Sequence, residues 1–107
     1  GKMNFYKDGR IVFVDPEDVL YFESVDDTVF AYTKDSVYET KSKLYQLENE
    51  LPASIFFRAS KGVIVNLDKI DSLMPVFGGR FEAVLQNGYK VVVSRNYLNT
   101  LKELLGL

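Results

Sequence analysis

Short runs of Val, Ile, Phe and Tyr alternate with turn-forming residues along most of the chain. Asp8-Gly9, Gly78-Gly79 and Asn87-Gly88 each stand between two such runs, and these pairs supply the positive φ values that tight hairpins require. Lys34-Asp35 is a weaker signal of the same kind. The predicted strands are Ile11–Val14, Val19–Glu23, Thr28–Tyr32, Ser36–Thr40, Ser72–Val76, Arg80–Leu85 and Lys90–Val93. Runs of this length and spacing are typical of an antiparallel, mainly β domain.

Two segments depart from the strand pattern and carry leucine at helical spacing. The first follows Ser42, a candidate N-cap, and ends before Pro52; the second runs from Ser94 to Gly106, a candidate C-cap. Asp15–Asp18 is predicted to form one further helical turn. The leucines that define the two helices are Leu44, Leu47 and Leu51, then Leu98, Leu101, Leu104 and Leu105. We therefore predict a mainly β (α+β) fold of antiparallel sheets with two or three short helices, in a single domain over residues 1–107.

The most apolar stretch, residues 56–70, contains a polar interruption. Aromatic and β-branched residues flank Arg58, Ser60, Lys61 and a glycine. An unpaired cation in a core costs several kcal/mol, so the chain is expected to leave the core here. We predict an exposed turn over Ala59–Gly62 that displays Ser60 and Lys61 while both flanks stay buried.

The side chains that most enzymes and metal sites use are scarce. The chain contains no cysteine and no histidine, which excludes disulfides, thiolate nucleophiles and the commonest general base and zinc ligand. Asp26-Asp27 and the pair Asp68 and Asp71 are the carboxylates to consider. A calcium site needs six or more oxygens at a recognisable spacing, so solvated turn acids are the preferred interpretation over ion binding or acid–base work. We predict no catalytic residue, no metal and no cofactor.

Charge is unevenly distributed between the two halves of the chain. The net charge is −2, but residues 1–50 carry 6 basic and 11 acidic side chains, and residues 51–107 carry 7 basic and 4 acidic ones. A polyanionic partner is therefore expected on the second half. No apolar run reaches the roughly 18 residues of a membrane span, and no signal-peptide pattern opens the chain. We expect a cytoplasmic protein without membrane contact, and we interpret Gly1–Met3 as a cloning remnant.

Three stretches of the chain share the motifs and order of one known family. They are "VDPEDVLYFES", "FFRASKGVIVNLDKI" and "QNGYKVVVSRNYLNTLKELL". Their Phe-Phe-Arg, polar segment, Val-Asn, Asn-Gly and helix-opening Val-Ser-Arg closely resemble the LytTR DNA-binding domain of bacterial response regulators. The matching residues are Phe57, Arg58, Val65, Asn66, Ile70, Asn87, Gly88, Val93, Ser94, Arg95 and Tyr97. The likeness covers almost the whole chain.

This resemblance implies an elongated set of antiparallel sheets that sends loops, rather than a recognition helix, into two successive major grooves of duplex DNA. Base contacts are implied for Thr28 in the loop Val25–Val29, for Lys61 in the polar segment and for Arg95 after Val-Ser. An arginine at a helix start can present its fork to guanine O6 and N7. The candidates for phosphate contact are Ser60, Arg58, Arg80, Lys90 and Asn96.

The chain departs from the family pattern in two places. The polar segment reads Ser60-Lys61 where the family commonly has His-Arg or a similar pair, and the first loop carries Asp26-Asp27, which repels phosphates unless it accepts from cytosine N4. Several residues also have a structural interpretation: Asn66 and Ser94 as caps or turn formers, Arg58 as an ion-pair partner, and Arg95 as the partner of Glu103 or Asp68.

The function implied is sequence-specific DNA binding for transcriptional regulation. In this family the domain usually follows a receiver domain that promotes dimerisation on a two-part operator, so we expect a bacterial two-component response regulator, its receiver domain and a dimer on DNA. The alternative is a protein-interaction module that uses an exposed sheet edge and binds no DNA. The acidic first half favours that alternative.

Overall fold

The computed structural model describes all of residues 1–107. Ten strands and two α-helices follow one another, with single 3₁₀ turns at Pro16–Asp18 and Leu67–Lys69. The strands are β1 (Met3–Lys7), β2 (Arg10–Val14), β3 (Val19–Val25), β4 (Thr28–Thr33), β5 (Val37–Thr40), β6 (Phe56–Ser60), β7 (Val63–Asn66), β8 (Ile70–Val76), β9 (Arg80–Leu85) and β10 (Lys90–Val93), and the helices are α1 (Leu44–Glu50) and α2 (Arg95–Leu105). All neighbouring strands pair antiparallel, which confirms the predicted class.

The strands form two sheets that enclose two hydrophobic cores. A seven-stranded sheet has the order β2-β1-β5-β4-β3-β7-β6, and a three-stranded sheet has the order β10-β9-β8. The first core, which includes Phe22 and Leu47, lies between α1 and the large sheet. The second core, which includes Val93 and Leu101, lies between the large sheet, the small sheet and α2. The molecule measures 41 × 26 × 24 Å, so the elongated shape is confirmed.

A β-bulge lets β3 contribute to both cores. Strand residues normally alternate between the two faces of a sheet, but the register of β3 shifts between Val19 and Tyr21. As a result Leu20 and Tyr21 both enter the second core, while Val19 and Phe22 stay in the first. This bulge explains the four consecutive buried residues at the start of β3.

The two helices begin and end close to their predicted positions. Lys43, rather than Ser42, is the N-cap of α1, and Gln46 Oε1 accepts its backbone N–H at 2.8 Å. Gly106 caps α2 in the left-handed conformation, with a φ of 72°. Neither helix has the length and apolar character needed to cross a membrane. Met3, which we interpreted as part of a remnant, begins β1 and packs against the first core.

Residues 56–66 form two strands joined by a two-residue turn, and a 3₁₀ turn over Leu67–Lys69 then leads to β8. Strand β6 extends to Ser60, so the turn is Lys61-Gly62, and the predicted turn that began at Ala59 was too long. Ala59 is fully buried, because the register shifts between Arg58 and Ser60 and Ala59 packs in the second core. The fold therefore displays Lys61 as predicted, but on a shorter and more tightly held turn.

Candidate nucleic-acid interface

Four connections meet at one end of the molecule, which we call the loop end. They are the β3–β4 turn (Asp26-Asp27), the β6–β7 turn (Lys61-Gly62), the β8–β9 turn (Phe77–Gly79) and the start of α2 (Ser94–Asn96). The backbone N–H of Ser24, near the end of β3, donates to Gly62 O at 2.9 Å, and the N–H of Ser94 donates to Ala59 O at 3.0 Å. These two bonds join the three segments for which the resemblance implied base contacts.

The carbonyl groups of residues 59–62 are all engaged by protein donors. The N–H of Ser94 donates to Ala59 O, and the N–H of Ser24 donates to Gly62 O. Arg58 supplies the donors for the other two carbonyl groups: its Nε donates to Ser60 O at 2.8 Å, and its Nη2 donates to Lys61 O. Because these oxygens are held against the protein, the turn presents its side chains to an approaching polyanion.

Arg58 is also paired with a carboxylate. Its Nη1 forms an ion pair with Glu48 Oε1 on α1, and its side chain is only 19% exposed. Of the two interpretations offered for Arg58, the ion pair is therefore the one that the structure contains. Glu48 was not predicted as a partner, because nothing in the helical pattern distinguishes it from the other polar residues of α1.

Lys61 and Arg95 are exposed, and their side chains take part in no ion pair, since the two pairs of the protein are Arg58–Glu48 and Lys90–Glu82. The suggested pairing of Arg95 with Glu103 or Asp68 is therefore absent.

The stem of Arg95 crosses the β8–β9 turn at Gly79. A Cβ at Gly79 would lie 3.2 Å from Arg95 Cδ, and Gly79 has a φ of 73°. A side chain there would meet the arginine stem as well as an unfavourable backbone conformation. Because Gly79 has no side chain, the stem of Arg95 can pass over the β8–β9 turn on its way to solvent.

The same turn adds another cation and an aromatic ring to the loop end. Arg80 is exposed, and its Nε donates to Phe77 O at 3.1 Å. Phe77 is 92% exposed, more than any other large apolar side chain of the protein. Phe77 was not among the predicted contacts, although an aromatic residue beside Gly-Gly is a visible signal in the sequence. Apolar side chains in such positions can contact thymine methyl groups.

The acidic pair of the β3–β4 turn has a backbone explanation. Asp26 and Asp27 have φ values of 49° and 65°, and a two-residue type I′ turn needs positive φ at both positions, which aspartate tolerates. Both side chains are exposed, and the protein contains no group of three or more potential metal ligands. Lys43 Nζ donates to Asp27 O, so an additional cation that was not predicted lies beside this turn.

Most of the other predicted contacts also lie at the loop end. Thr28 follows the β3–β4 turn and Ser60 precedes the β6–β7 turn, and both are half-buried; Asn96 is exposed in the first turn of α2. Lys90 is the exception. It begins β10 opposite Val84, away from the loop end, and lies 4.0 Å from Glu82 Oε1.

The two polar residues with a structural interpretation behave differently. Asn66 is buried, its Nδ2 donates to Glu17 O and Val19 O, and its Oδ1 accepts the Asp68 N–H. Its role is therefore structural. Ser94 occupies the N-cap position of α2, but its hydroxyl makes no capping hydrogen bond.

The opposite end of the large sheet holds a tyrosine stack. Tyr21 stacks on Tyr32 and Tyr89, with ring centroids 4.3 and 4.4 Å apart. Burial, followed by the nearby Tyr89, raises the pKa of Tyr21 far above its ordinary value, and burial and Glu23 raise the pKa of Tyr32. A polar groove of about 680 Å³ lies beside the stack, lined in part by Asp18, Lys34 and Lys69. Lys90 is the one predicted DNA contact at this end.

Comparison with known proteins matches this geometry to one family. The family model of the LytTr DNA-binding domain matches residues 9–106. A solved LytTr DNA-binding domain, from a Bacillus cereus protein described as a methyl-accepting/DNA response regulator, superimposes with a TM-score of 0.93 at 25% sequence identity and covers 99% of this chain and 97% of its own.

Curated relatives include longer proteins. "Sensory transduction protein LytT" is 37% identical over 99 residues in Enterococcus faecalis and 35% identical over 95 residues in Bacillus subtilis. These matches cover 92% and 89% of this chain but only 40% and 39% of the LytT proteins, so the chain spans about two fifths of their length. An uncharacterised HTH-type transcriptional regulator of Staphylococcus aureus is 33% identical over 102 residues, which cover 95% of this chain and 69% of that protein.

The sequence resemblance, the antiparallel two-sheet fold and the loop end agree with these matches. The family model and the superimposed domain each account for nearly all of the 107 residues. The chain therefore belongs to the LytTr DNA-binding domain family.

Proposed function

We propose that the chain binds duplex DNA sequence-specifically through the loop end and thereby regulates transcription. The observation that carries this proposal is the convergence of the β3–β4 turn, the β6–β7 turn and the start of α2, joined through the backbone N–H groups of Ser24 and Ser94. Segments far apart in the chain thus form one surface, on which Lys61 and Arg95 are exposed and unpaired.

Arg95 is the principal base contact in this proposal. Its stem leaves the first turn of α2 and passes beside Gly79, and its planar fork matches guanine O6 and N7. Lys61, at the tip of the β6–β7 turn, contacts a second base. Thr28 and Phe77 supply the smaller contacts, a hydroxyl and methyl group from Thr28 and an apolar surface for thymine from Phe77.

Phosphate contacts are assigned to Ser60, Asn96 and Arg80. The free N–H groups in the first turn of α2 favour an anion in the same place. Arg58 and Lys90 were predicted to contact phosphates as well, but their surroundings argue for other roles. Arg58 is engaged by protein acceptors, and Lys90 lies beside a carboxylate at the opposite end of β10.

A single domain is expected to bind with modest affinity. The loop end offers few free cations, and each phosphate that a cation neutralises contributes about −0.9 to the slope of log K against log salt. Tight binding therefore requires two copies on adjacent half-sites, where the second binding event becomes effectively intramolecular. This requirement supports a two-part operator and a dimer on DNA.

In the full-length protein we assign this domain to the output end of a bacterial two-component response regulator, with a receiver domain that promotes dimerisation. The assignment is supported by the LytT relatives, which are named for sensory transduction and are more than twice as long as the matched region. A chromosomal DNA partner places such a regulator in the bacterial cytoplasm.

The proposal is tested by fluorescence anisotropy with a duplex enriched from a random pool by the wild-type domain. Arg95→Ala is expected to weaken binding of that duplex by about 1–3 kcal/mol without a change in the melting curve. Lys61→Ala is expected to weaken binding as well. Arg10→Ala is the matched control, because Arg10 is an exposed arginine in the β1–β2 hairpin, outside the loop end. Equal losses for Arg95→Ala and Arg10→Ala would contradict the proposed surface.

A sheet-edge protein interaction is the second candidate function, and one observation favours it. Strand β2 is the outer strand of the large sheet, and it exposes 57% of Ile11 and 61% of Phe13. An open edge with apolar side chains can pair with a strand of another protein. A folded domain that binds no duplex DNA even at low salt would favour this candidate over the first.

A further inference from the structure

Arg58 connects three groups at the base of the β6–β7 turn. Its Nε and Nη2 donate to the carbonyl oxygens of Ser60 and Lys61, and its Nη1 pairs with Glu48 on α1. A guanidinium carries its N–H donors in a rigid plane, so contacts in three directions restrict both the turn and its position relative to α1.

The local backbone explains why the turn depends on a side chain. The register shifts between Arg58 and Ser60, and a bulge of this kind interrupts the ladder and leaves backbone groups without strand partners. Lys61 lies in the turn beyond the ladder, and Arg58 provides a donor both for its oxygen and for that of Ser60, the residue next to the bulge. Without Arg58, water would replace the guanidinium as the hydrogen-bond donor to these oxygens, and the peptide that carries Lys61 would be free to rotate.

We propose that Arg58 and Glu48 are positioning residues for DNA recognition. In this inference Arg58 fixes the β6–β7 turn so that Lys61 reaches a base edge, and Glu48 fixes the guanidinium of Arg58. The inference rests on the proposed function and deepens it, because it replaces a phosphate contact by an indirect role. The carboxylate beside Arg58 and the 19% exposure of its side chain leave little charge or surface for a phosphate.

A positioning role affects specific and non-specific binding differently. Contacts to base edges require a site held within about 0.5 Å of its productive geometry. Attraction between a lysine and the phosphate backbone tolerates larger displacements, because it is long-ranged and independent of sequence. Loosening the turn should therefore reduce discrimination between sequences while leaving affinity for unrelated DNA nearly unchanged.

Arg58→Lys is the sharpest test, because lysine keeps the charge and loses the planar fork. The measurement is binding to two duplexes: one enriched from a random pool by the wild-type domain, and one of the same composition in scrambled order. We expect affinity for the enriched duplex to fall about tenfold, or about 1.4 kcal/mol, and affinity for the scrambled duplex to stay within about twofold. Arg10→Lys is the matched control, because Arg10 is an exposed arginine outside the loop end, and it should retain both affinities.

Glu48→Gln examines the other side of the pair. We expect a smaller loss on the enriched duplex alone, and this variant carries the test if melting curves show that Arg58→Lys does not fold. Arg58→Met tests the salt dependence of binding. A positioning role leaves the slope of log K against log salt unchanged, whereas a phosphate contact would reduce its magnitude by about 0.9.

Two results would overturn the inference: wild-type discrimination in both Arg58→Lys and Glu48→Gln, or a reduced salt slope in Arg58→Met. Failure of the wild-type domain to enrich any duplex would instead overturn the proposed function, so the two failures are distinguishable.

Discussion

Replacing Asn66 by alanine should destabilise the fold by an amount that follows from its hydrogen bonds. The Asn66 Nδ2 donates to Val19 O at 2.9 Å and to Glu17 O at 3.1 Å, and its Oδ1 accepts the Asp68 N–H at 3.0 Å. Each such bond contributes about 0.5–1.5 kcal/mol net, and a buried group left without a partner costs about 1–3 kcal/mol. Alanine removes all three bonds and leaves the buried Val19 carbonyl unpaired, so we expect a loss of about 2–4 kcal/mol.

The assay is urea denaturation followed by circular dichroism, with a melting curve as a second measure. For a domain of this size the expected loss corresponds to a decrease in Tm of about 10–25 °C. Asn96→Ala is the matched control: that asparagine is exposed, so its replacement should cost about 0.5 kcal/mol or less. Asn66→Asp should cost at least as much as Asn66→Ala, because a carboxylate would face two carbonyl oxygens. A loss below about 1 kcal/mol for Asn66→Ala would refute the reasoning.

Three further outcomes are expected. In an anisotropy titration of one domain on its enriched duplex, log K should fall with log salt at a slope of about −0.9, because Arg80 is the one cation assigned to a phosphate; a slope near zero would oppose that phosphate contact. Gly79→Ala should weaken binding of that duplex several-fold per folded molecule. The control is Gly9→Ala: Gly9 has a similar φ of 74° and no neighbour within 4 Å, so this variant should destabilise the fold without changing DNA binding. Equal binding by the two variants would contradict the contact between Gly79 and Arg95. Burial raises the pKa of Tyr21, so the folded state keeps a proton that the unfolded chain loses above about pH 10. The free energy of unfolding should therefore keep its full value below that pH and decrease above it. Denaturation at mildly and strongly alkaline pH should show a smaller decrease for Tyr21→Phe than for the wild type, and an equal decrease in both proteins would be the contrary result.

Local pattern predicted most of the elements. Each predicted strand corresponds to a strand of the structure, and both helices lie where leucine spacing placed them, since turns and periodicity are properties of short segments. Strand β1 was missed because Met3–Lys7 alternates only weakly. The bulges in β3 and β6 were not predictable, because a bulge is decided by packing against two cores at once. Ala59 illustrates this: its burial depends on β10 and α2, which are distant in sequence.

The candidate site was predicted less completely than the fold. The family resemblance selected Lys61 and Arg95, and the structure places both at the loop end without ion-pair partners. The resemblance could not determine what surrounds them. The pairing of Arg58 with Glu48 depends on how α1 packs beside β6, and that packing depends on contacts between segments far apart in the chain. Whether a cationic side chain can contact DNA depends on whether a protein acceptor such as Glu48 already binds it.

The most direct test of the central claim is selection of duplexes from a random-sequence pool by the wild-type domain, followed by sequencing of the bound fraction. A surface that reads bases through Arg95 and Lys61 predicts an enriched motif that contains a conserved guanine and occurs in two copies about one helical turn apart. Arg95→Ala should lose the preference for that guanine while it still binds DNA weakly. A bound fraction with the same composition as the starting pool, from a protein shown to be folded, would contradict the claim that the loop end recognises DNA sequence.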